Sequence, residues 1–242
     1  MAAVLDDGSS SDECGSVLFT AWIALLLALT LPPIWLVLAL APQGAPTNRL
    51  VRRFARALLV LAGCRLRVEG LENLVKEPCV VLIANHSSYL DSVVLVAALP
   101  RDFHFVVNHL AATRPLIGTI IRKAKHLVVD RGSLRSRATC ARVMIEALGD
   151  GTSLLLFPEG TRSSGGMLPF KAGAFRVAVK AGRPVLPIAV VGTGRIWPRR
   201  FRLLHRGPIA VRILPAIHPD SGARDAATRL RDAASGAIAG AL

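Results

Sequence analysis

Neither Lys nor Arg occurs in the first 48 residues, and residues 17–41 (VLFTAWIALLLALTLPPIWLVLALA) carry no charge of either sign. The first absence argues against a secretory signal peptide, whose leading segment is basic. The second leaves an apolar run long enough to cross a bilayer core as a helix. Aromatic residues are only 5% of the chain, too few for a base-stacking nucleic-acid surface. The four cysteines, Cys14, Cys64, Cys79 and Cys140, form no C-x-x-C pair, and no His stands at zinc-ligand spacing from them. Cys79 in an apolar strand-like run and Cys140 in a helical pattern read as buried free thiols of a reducing compartment. G-x-S-x-G, the P-loop and G-x-G-x-x-G are all missing, which disfavours a serine hydrolase and a nucleotide-binding enzyme.

What is present divides the chain in three. Residues 1–16 are small and polar with four acids (Asp6, Asp7, Asp12, Glu13), and read as a disordered tail. Residues 17–64 read as membrane-anchoring helices, first the uncharged run and then 48–62 (NRLVRRFARALLVLA), an amphipathic pattern suited to a membrane interface. Its plainer reading is a core-packing helix with a solvated basic face. Pro32-Pro33 should kink or break the first helix, so a re-entrant hairpin competes with a span. All 30 Lys and Arg lie beyond residue 48, and the whole chain has a formal net charge of +14. A basic surface attracts polyanions, and the adjoining apolar segment favours lipid over nucleic acid. Arg49, Arg52, Arg53 and Arg56 follow the apolar run, which places the remainder on the cytoplasmic side of a cytoplasmic membrane by the positive-inside rule.

Residues 65–242 read as the catalytic domain. Short apolar strands are expected at 79–84, 103–107, 126–129, 153–157, 184–191 and 209–214. Helices are expected from 91–99, 115–124, 134–148 with Ser133 as cap, 170–181 and 223–238. Near-continuous apolar strands alternating with helices predict an α/β fold, a mixed and mostly parallel sheet flanked by helices.

Four polar groups stand at strand ends, where such sheets place their sites. In Asn85-His86-Ser87-Ser88-Tyr89-Leu90-Asp91, the turn into a helix can return Asp91 to His86. An Asp91 carboxylate on Nδ1–H leaves Nε2 as a general base for a hydroxyl. The plainer reading is a helix cap with a satisfied His. Phe157-Pro158-Glu159-Gly160-Thr161-Arg162-Ser163-Ser164 joins a guanidinium able to grip a phosphate with a glycine that lets backbone N–H groups approach an anion. It could equally be a polar turn with a local Glu–Arg pair. Arg131, in Asp130-Arg131-Gly132, is a further candidate anion clamp or simply an exposed turn residue. Pro187, in Val185-Leu186-Pro187-Ile188-Ala189-Val190, offers shape only, as a wall of an acyl pocket or as core.

Together and in this order, these segments resemble the glycerolipid acyltransferase superfamily, most nearly the bacterial 1-acylglycerol-3-phosphate (lysophosphatidic acid) acyltransferases. The resemblance covers about residues 65–215. The pattern N-H-x-S-x-x-D matches Asn85 to Asp91, F-P-E-G-T-R-S matches Phe157 to Ser163, P-F-K-x-G-A-F matches Pro169 to Phe175, and Leu127 to Arg131 is a softened F-V-D-R. The resemblance implies O-acyl transfer from acyl-CoA or acyl carrier protein, as co-substrate, to the free hydroxyl of a lysophospholipid. No bound cofactor or metal is implied. His86 and Asp91 would be catalytic; Arg131, Glu159, Gly160, Thr161 and Arg162 would bind the acceptor. The expected partners are membrane lipids, the lysolipid and the acyl carrier, with no nucleic acid.

One departure stands out. The family's Lys-x-Glu-Leu pattern ahead of Pro-x-x-Gly reads Asn108 and Leu110 here, while Pro115 and Gly118 are kept. A cation is thereby missing, with His109 and Lys125 as candidates to replace it. Another lysolipid acceptor, such as lyso-ornithine lipid, is the alternative substrate, and a non-catalytic membrane scaffold or polyanion binder is the alternative of another class.

Overall fold

The computed structural model describes residues 8–130, 133–199, 203–220 and 222–242. Seven strands form one sheet: β1 (Leu66–Glu69), β2 (Val81–Ala84), β3 (His104–Asn108), β4 (Leu127–Val129), β5 (Leu154–Leu156), β6 (Val185–Val191) and β7 (Ile209–Ile213). Their order is β1-β7-β6-β2-β5-β3-β4, parallel at every step except the antiparallel β6–β7 pair. The sheet is therefore mixed and mostly parallel, and β6, β2, β5, β3 and β4 all point their C-terminal ends to one edge. The edge strand β1 escaped the sequence pattern because Arg67 and Glu69 interrupt it and none of its four residues is fully buried.

The helices are α1 (Gly8–Leu40), α2 (Ala45–Leu61), α3 (Leu71–Val75), α4 (Leu90–Ala98), α5 (His109–Ala112), α6 (Pro115–Lys123), α7 (Leu134–Gly149), α8 (Gly173–Lys180), α9 (Thr193–Ile196) and α10 (Ala226–Gly240). Side chains alternate across a strand, so β2 splits between two cores. Leu82 and Ala84 face Phe19, Ile23 and Leu26 of α1, Ala55 and Leu59 of α2, and Val94 and Leu95 of α4. Val81 and Ile83 join Leu148 of α7, Phe175 and Ala178 of α8, and Leu230, Ala234 and Ile238 of α10. Fully burying side chains of this size contributes about 1.5–3 kcal/mol each, so burial on both faces fixes the central strands. Ser133 caps α7 as expected, accepting the Ser136 N–H at 3.0 Å.

The N-terminal segment departs from the sequence reading. Helix α1 takes in residues 8–16, read above as part of a tail, and it runs through Pro32-Pro33 rather than turning back as a hairpin. Its stretch Glu13–Leu40 is long and apolar enough to cross a membrane. The rest of the chain holds it near both ends. At one end Ser16 Oγ lies 3.0 Å from His205 Nδ1, and Thr20 Oγ1 accepts the Leu204 N–H at 2.8 Å. At the other, Trp35 Nε1 donates to Thr119 Oγ1 at 3.2 Å and Lys123 Nζ donates to the Ala41 carbonyl at 2.8 Å.

The four arginines of α2 divide. Arg56 Nε donates to the Ala97 carbonyl at 2.7 Å, and Arg52 donates to the Arg101 carbonyl at 2.7 Å and to Asp102 at 2.9 Å. Arg56 thus satisfies a carbonyl left open where α4 ends, a site that favours cations, and Arg52 holds the loop that follows. Arg49 and Arg53 are exposed, like much of the apolar side of α1. The thiols also need one correction: Cys64 and Cys79 are buried, but Cys140 is only half-buried.

Candidate active site

Three adjacent strands build the site. The loop after β2 brings His86, that after β5 brings Glu159 to Arg162, and that after β6 brings Thr193. The chain between Ala84 and α4 wraps round the Asp91 carboxylate, which is wholly buried. Asp91 Oδ2 accepts from His86 Nδ1 at 2.8 Å, from the Ser87 N–H at 2.8 Å and from the Ser88 N–H at 2.9 Å. Oδ1 accepts the Thr193 hydroxyl. A carboxylate with four donors tolerates burial in its ionised form. An ionised acceptor requires the proton on Nδ1, which leaves Nε2 with a free lone pair, and Nε2 makes no hydrogen bond to any described residue. Phe157 stacks on the imidazole with centroids 4.0 Å apart and planes 16° apart, so the ring is held in plane as well as at Nδ1.

Glu159 is placed differently from the substrate-facing position expected of it. It is 3% exposed, and its carboxylate turns inward: Oε1 accepts the His86 N–H at 2.7 Å and Oε2 the Leu168 N–H at 2.9 Å. The Ser163 N–H donates to the His86 carbonyl at 2.8 Å. Glu159 thus fastens the β5 loop to the histidine backbone. Burial raises its carboxyl above the usual range, against the opposing pull of the two N–H bonds. Asn85 ties the same loop to β6, donating to the Val190 carbonyl at 2.9 Å and accepting the Val190 N–H at 2.8 Å.

Arg162 lies at the rim, its guanidinium carbon 3.5 Å above the Tyr89 ring, a favourable cation–π placement. Gly160 holds a left-handed backbone, φ +74°, and a Cβ there would come 2.5 Å from Lys171 Nζ. Gly160, Thr161 and Lys171 are exposed. Neither Arg162 nor Lys171 pairs with an acid among the described residues, so both charges are open to an anion. Arg131 lies outside the described residues. Pro187 sits apart from the site, buried in β6 in register with Ile83. Its carbonyl accepts the Leu214 N–H, just past the end of β7, so its missing N–H falls where the pairing stops. Asn108 caps α5 by accepting the Leu110 N–H at 3.1 Å, and Leu110 is exposed. His109 Nδ1 lies 3.6 Å from Asp130, and Lys125 is exposed. Sequence reasoning missed Thr193, whose one trace is its place between two glycines after a strand. It also missed the individual roles of Phe157, Asn85 and Lys171, all of which lie inside the quoted motifs.

An imidazole braced by a buried carboxylate thus stands beside two open cations at one edge of the sheet. Residues 65–191 match the family model described as Acyltransferase, and the chain belongs to that family. It is 33% identical over 237 residues to a 1-acyl-sn-glycerol-3-phosphate acyltransferase of Chlamydomonas reinhardtii, covering 94% of this chain and 69% of that protein. It is 34% identical over 185 residues to the chloroplastic 1-acyl-sn-glycerol-3-phosphate acyltransferase LPAT1 of Arabidopsis thaliana, covering 75% of this chain and 52% of that protein. The chain therefore spans between half and about two thirds of these relatives. The fold is that of the crystal structure of the 1-acyl-sn-glycerophosphate (LPA) acyltransferase PlsC from Thermotoga maritima, with a TM-score of 0.78, 21% identity and 95% of each chain covered.

Proposed function

We propose that this acyltransferase moves a fatty acyl group from acyl-CoA or acyl carrier protein to the free hydroxyl of 1-acylglycerol-3-phosphate, giving phosphatidic acid. The observation that carries this reading is the 2.8 Å His86–Asp91 contact with Nε2 left open. Nε2 takes the proton from the acceptor hydroxyl as its oxygen attacks the thioester carbonyl. The tetrahedral intermediate collapses with loss of the C–S bond, and the imidazolium returns the proton to the departing sulfur. Asp91 stabilises the imidazolium throughout, which lowers both proton-transfer barriers. The thioester is consumed as substrate, so the steps as written call for no resident cofactor or metal.

Arg162 and Lys171 supply the charge for the acceptor's phosphate, with the Gly160–Thr161 backbone beside them and Arg131 as a further cation. Glu159 acts as a strut rather than as a ligand. The Asn108 cap leaves no cation at that position, which favours one alternative acceptor, a lysolipid with a smaller anionic demand. Helix α1 places the protein at the membrane. At 1.5 Å per residue its 33 residues reach about 50 Å. Because one domain holds it near both ends, it is read as lying along that domain with its exposed apolar side in the lipid, the site facing the cytoplasm where both donors occur.

The test is His86→Ala, assayed as thiol release from acyl-CoA with a panel of lysolipid acceptors. The expected outcome is a cooperative thermal melt showing a retained fold, unchanged membrane association in high salt, and acyl transfer reduced by at least about 10²-fold. Retained turnover would refute the base assignment. Wild-type preference for a lysolipid lacking phosphate would replace the acceptor.

A further inference from the structure

The β6–α9 turn holds a hydroxyl with no part in the proton transfers above. Thr193 is wholly buried, and its hydroxyl donates to Asp91 Oδ1, the oxygen that His86 does not use. Its proton is committed to that carboxylate. Ser87 Oγ, 3.1 Å away, must then be the donor to Thr193 Oγ1. The resulting relay runs from the Ser87 hydroxyl to the Thr193 hydroxyl to Asp91.

The turn that carries Thr193 has little freedom. Gly192 has φ +93°, and a Cβ on it would come 2.2 Å from the Pro208 carbonyl oxygen. Gly194 packs so closely that a Cβ would lie 3.1 Å from the Ser87 side chain. Ser88 Oγ donates to the Trp197 carbonyl at 2.8 Å, and the His205 N–H donates to the Ile196 carbonyl at 3.0 Å. Ile196 is buried in the α1 and α4 core. The hydroxyl's direction is therefore set by backbone, not by a floppy loop.

Rotation about the Asp91 Cβ–Cγ bond moves both oxygens, so the Thr193 hydroxyl on Oδ1 resists the same swing as the three donors on Oδ2. Those three come from the loop of Asp91 itself, whereas Thr193 is the one donor among the described residues supplied by another strand's loop. We propose that Thr193 is a positioning residue for acyl transfer: it orients Asp91 so that Oδ2 faces His86 Nδ1. This rests on the reading of His86 as the base.

Three variants and a control test it. T193V removes the donor while keeping the shape. We expect its kcat to fall about tenfold to a hundredfold, the loss that follows from small misplacement of a catalytic pair, with KM for the lysolipid within about twofold. The sign of the pH effect follows from the charge. Losing a donor makes Asp91 a stronger partner for the imidazolium, so the acid limb of kcat/KM moves to higher pH. The other titratable carboxyl near the pair, Glu159 on the β5 loop, touches only backbone N–H groups and is common to all variants. T193S restores the donor, and with it the wild-type acid limb and most of kcat. Should T193V not fold, T193A carries the same expectation without added bulk. A folded T193V or T193A with wild-type kcat and pH profile overturns the proposal, as does a folded T193S with more than about a tenfold loss. H86A, run alongside, separates the two readings. If H86A retains turnover, the base assignment fails; if H86A is silent and T193V is unaffected, only the role of Thr193 fails.

Discussion

Replacing Asp91 with Asn separates charge from geometry at this site. In many His–carboxylate pairs an amide can turn its NH2 to the imidazole and force the wrong tautomer. Here the Ser87 and Ser88 N–H groups both point at Oδ2, and neither can meet an NH2. The amide oxygen must therefore take the Oδ2 position, where it still accepts from His86 Nδ1. The NH2 falls opposite Thr193, whose hydroxyl can rotate to accept from it and donate to Ser87 instead. Every buried group keeps a partner. Weakening three charge-assisted bonds to neutral ones costs about 3 kcal/mol in total, and removing a buried charge offsets an amount of that order. The melting temperature should stay within about 5 °C of wild type by these magnitudes. Catalysis has no such offset. An imidazolium about 4 Å from a carboxylate gains about 4 kcal/mol at an effective dielectric of about 20, and that attraction exists only once the proton has moved. D91N should therefore lower kcat about 10³-fold, with KM near wild type and the Nδ1–H tautomer retained. Acyl-CoA turnover, a detergent melt and the imidazole nitrogen shifts in 15N NMR read the three quantities. A D91N enzyme within tenfold of wild type would show that the imidazole does not depend on this charge.

Two other perturbations have outcomes fixed by the same contacts. Glu159→Gln sets an NH2 against a backbone N–H of His86 or Leu168, leaving a buried donor unmatched. That should cost about 1–3 kcal/mol, a fall of roughly 2–10 °C in melting temperature, with kcat lowered because the His86 backbone shifts; an unchanged melt would remove its role as a strut. His126 accepts the Phe105 N–H on Nδ1 at 3.3 Å, and burial, aided by His104, pushes its pKa down to about 4. A folded pKa below the unfolded value of about 6.5 means that the unfolded chain binds the proton first. The stability from the neutral ring is thus complete above pH 6.5 and lost as pH falls from 6.5 towards 4, by at most about 3 kcal/mol. Urea unfolding at stepped pH should show that slope, flattened in His126→Gln; parallel slopes would refute the assignment.

Most of the sheet was legible because its strands are short apolar runs, those of β2, β5 and β6 buried on both faces, so hydropathy marks six of the seven. The seventh, β1, lies at an edge and alternates with charge. The anchor was legible as apolar but not in its course: the effect of Pro32-Pro33 depends on what packs round them, which no local rule contains. The arginines of α2 misled for a related reason. A basic stripe reads as a surface, whereas Arg56 answers an open carbonyl at the end of α4 and Arg52 the loop that follows it. Within the site, His86 and Asp91 were legible because both lie in one loop and their contact is local. The inward turn of Glu159 was not, since its partners are backbone N–H groups on two other segments.

Strand order explains what the motifs could not. In sequence the site loops follow β2, β5 and β6, but in space the order is β6-β2-β5, with the His86 loop in the middle. Each outer loop can then reach the central one across a single strand spacing of about 4.8 Å. Glu159 does so at the His86 N–H and Thr193 at the far oxygen of Asp91, so the His86–Asp91 pair is braced from both sides by partners 73 and 102 residues away. Strand β4 is three spacings from β2, roughly 14 Å. A cation carried on the loop after β4 can share a substrate with His86 only if that substrate extends along the sheet edge. Arg162 and Lys171, on the segment after β5, need no such length, because they are carried a single strand away from the His86 loop.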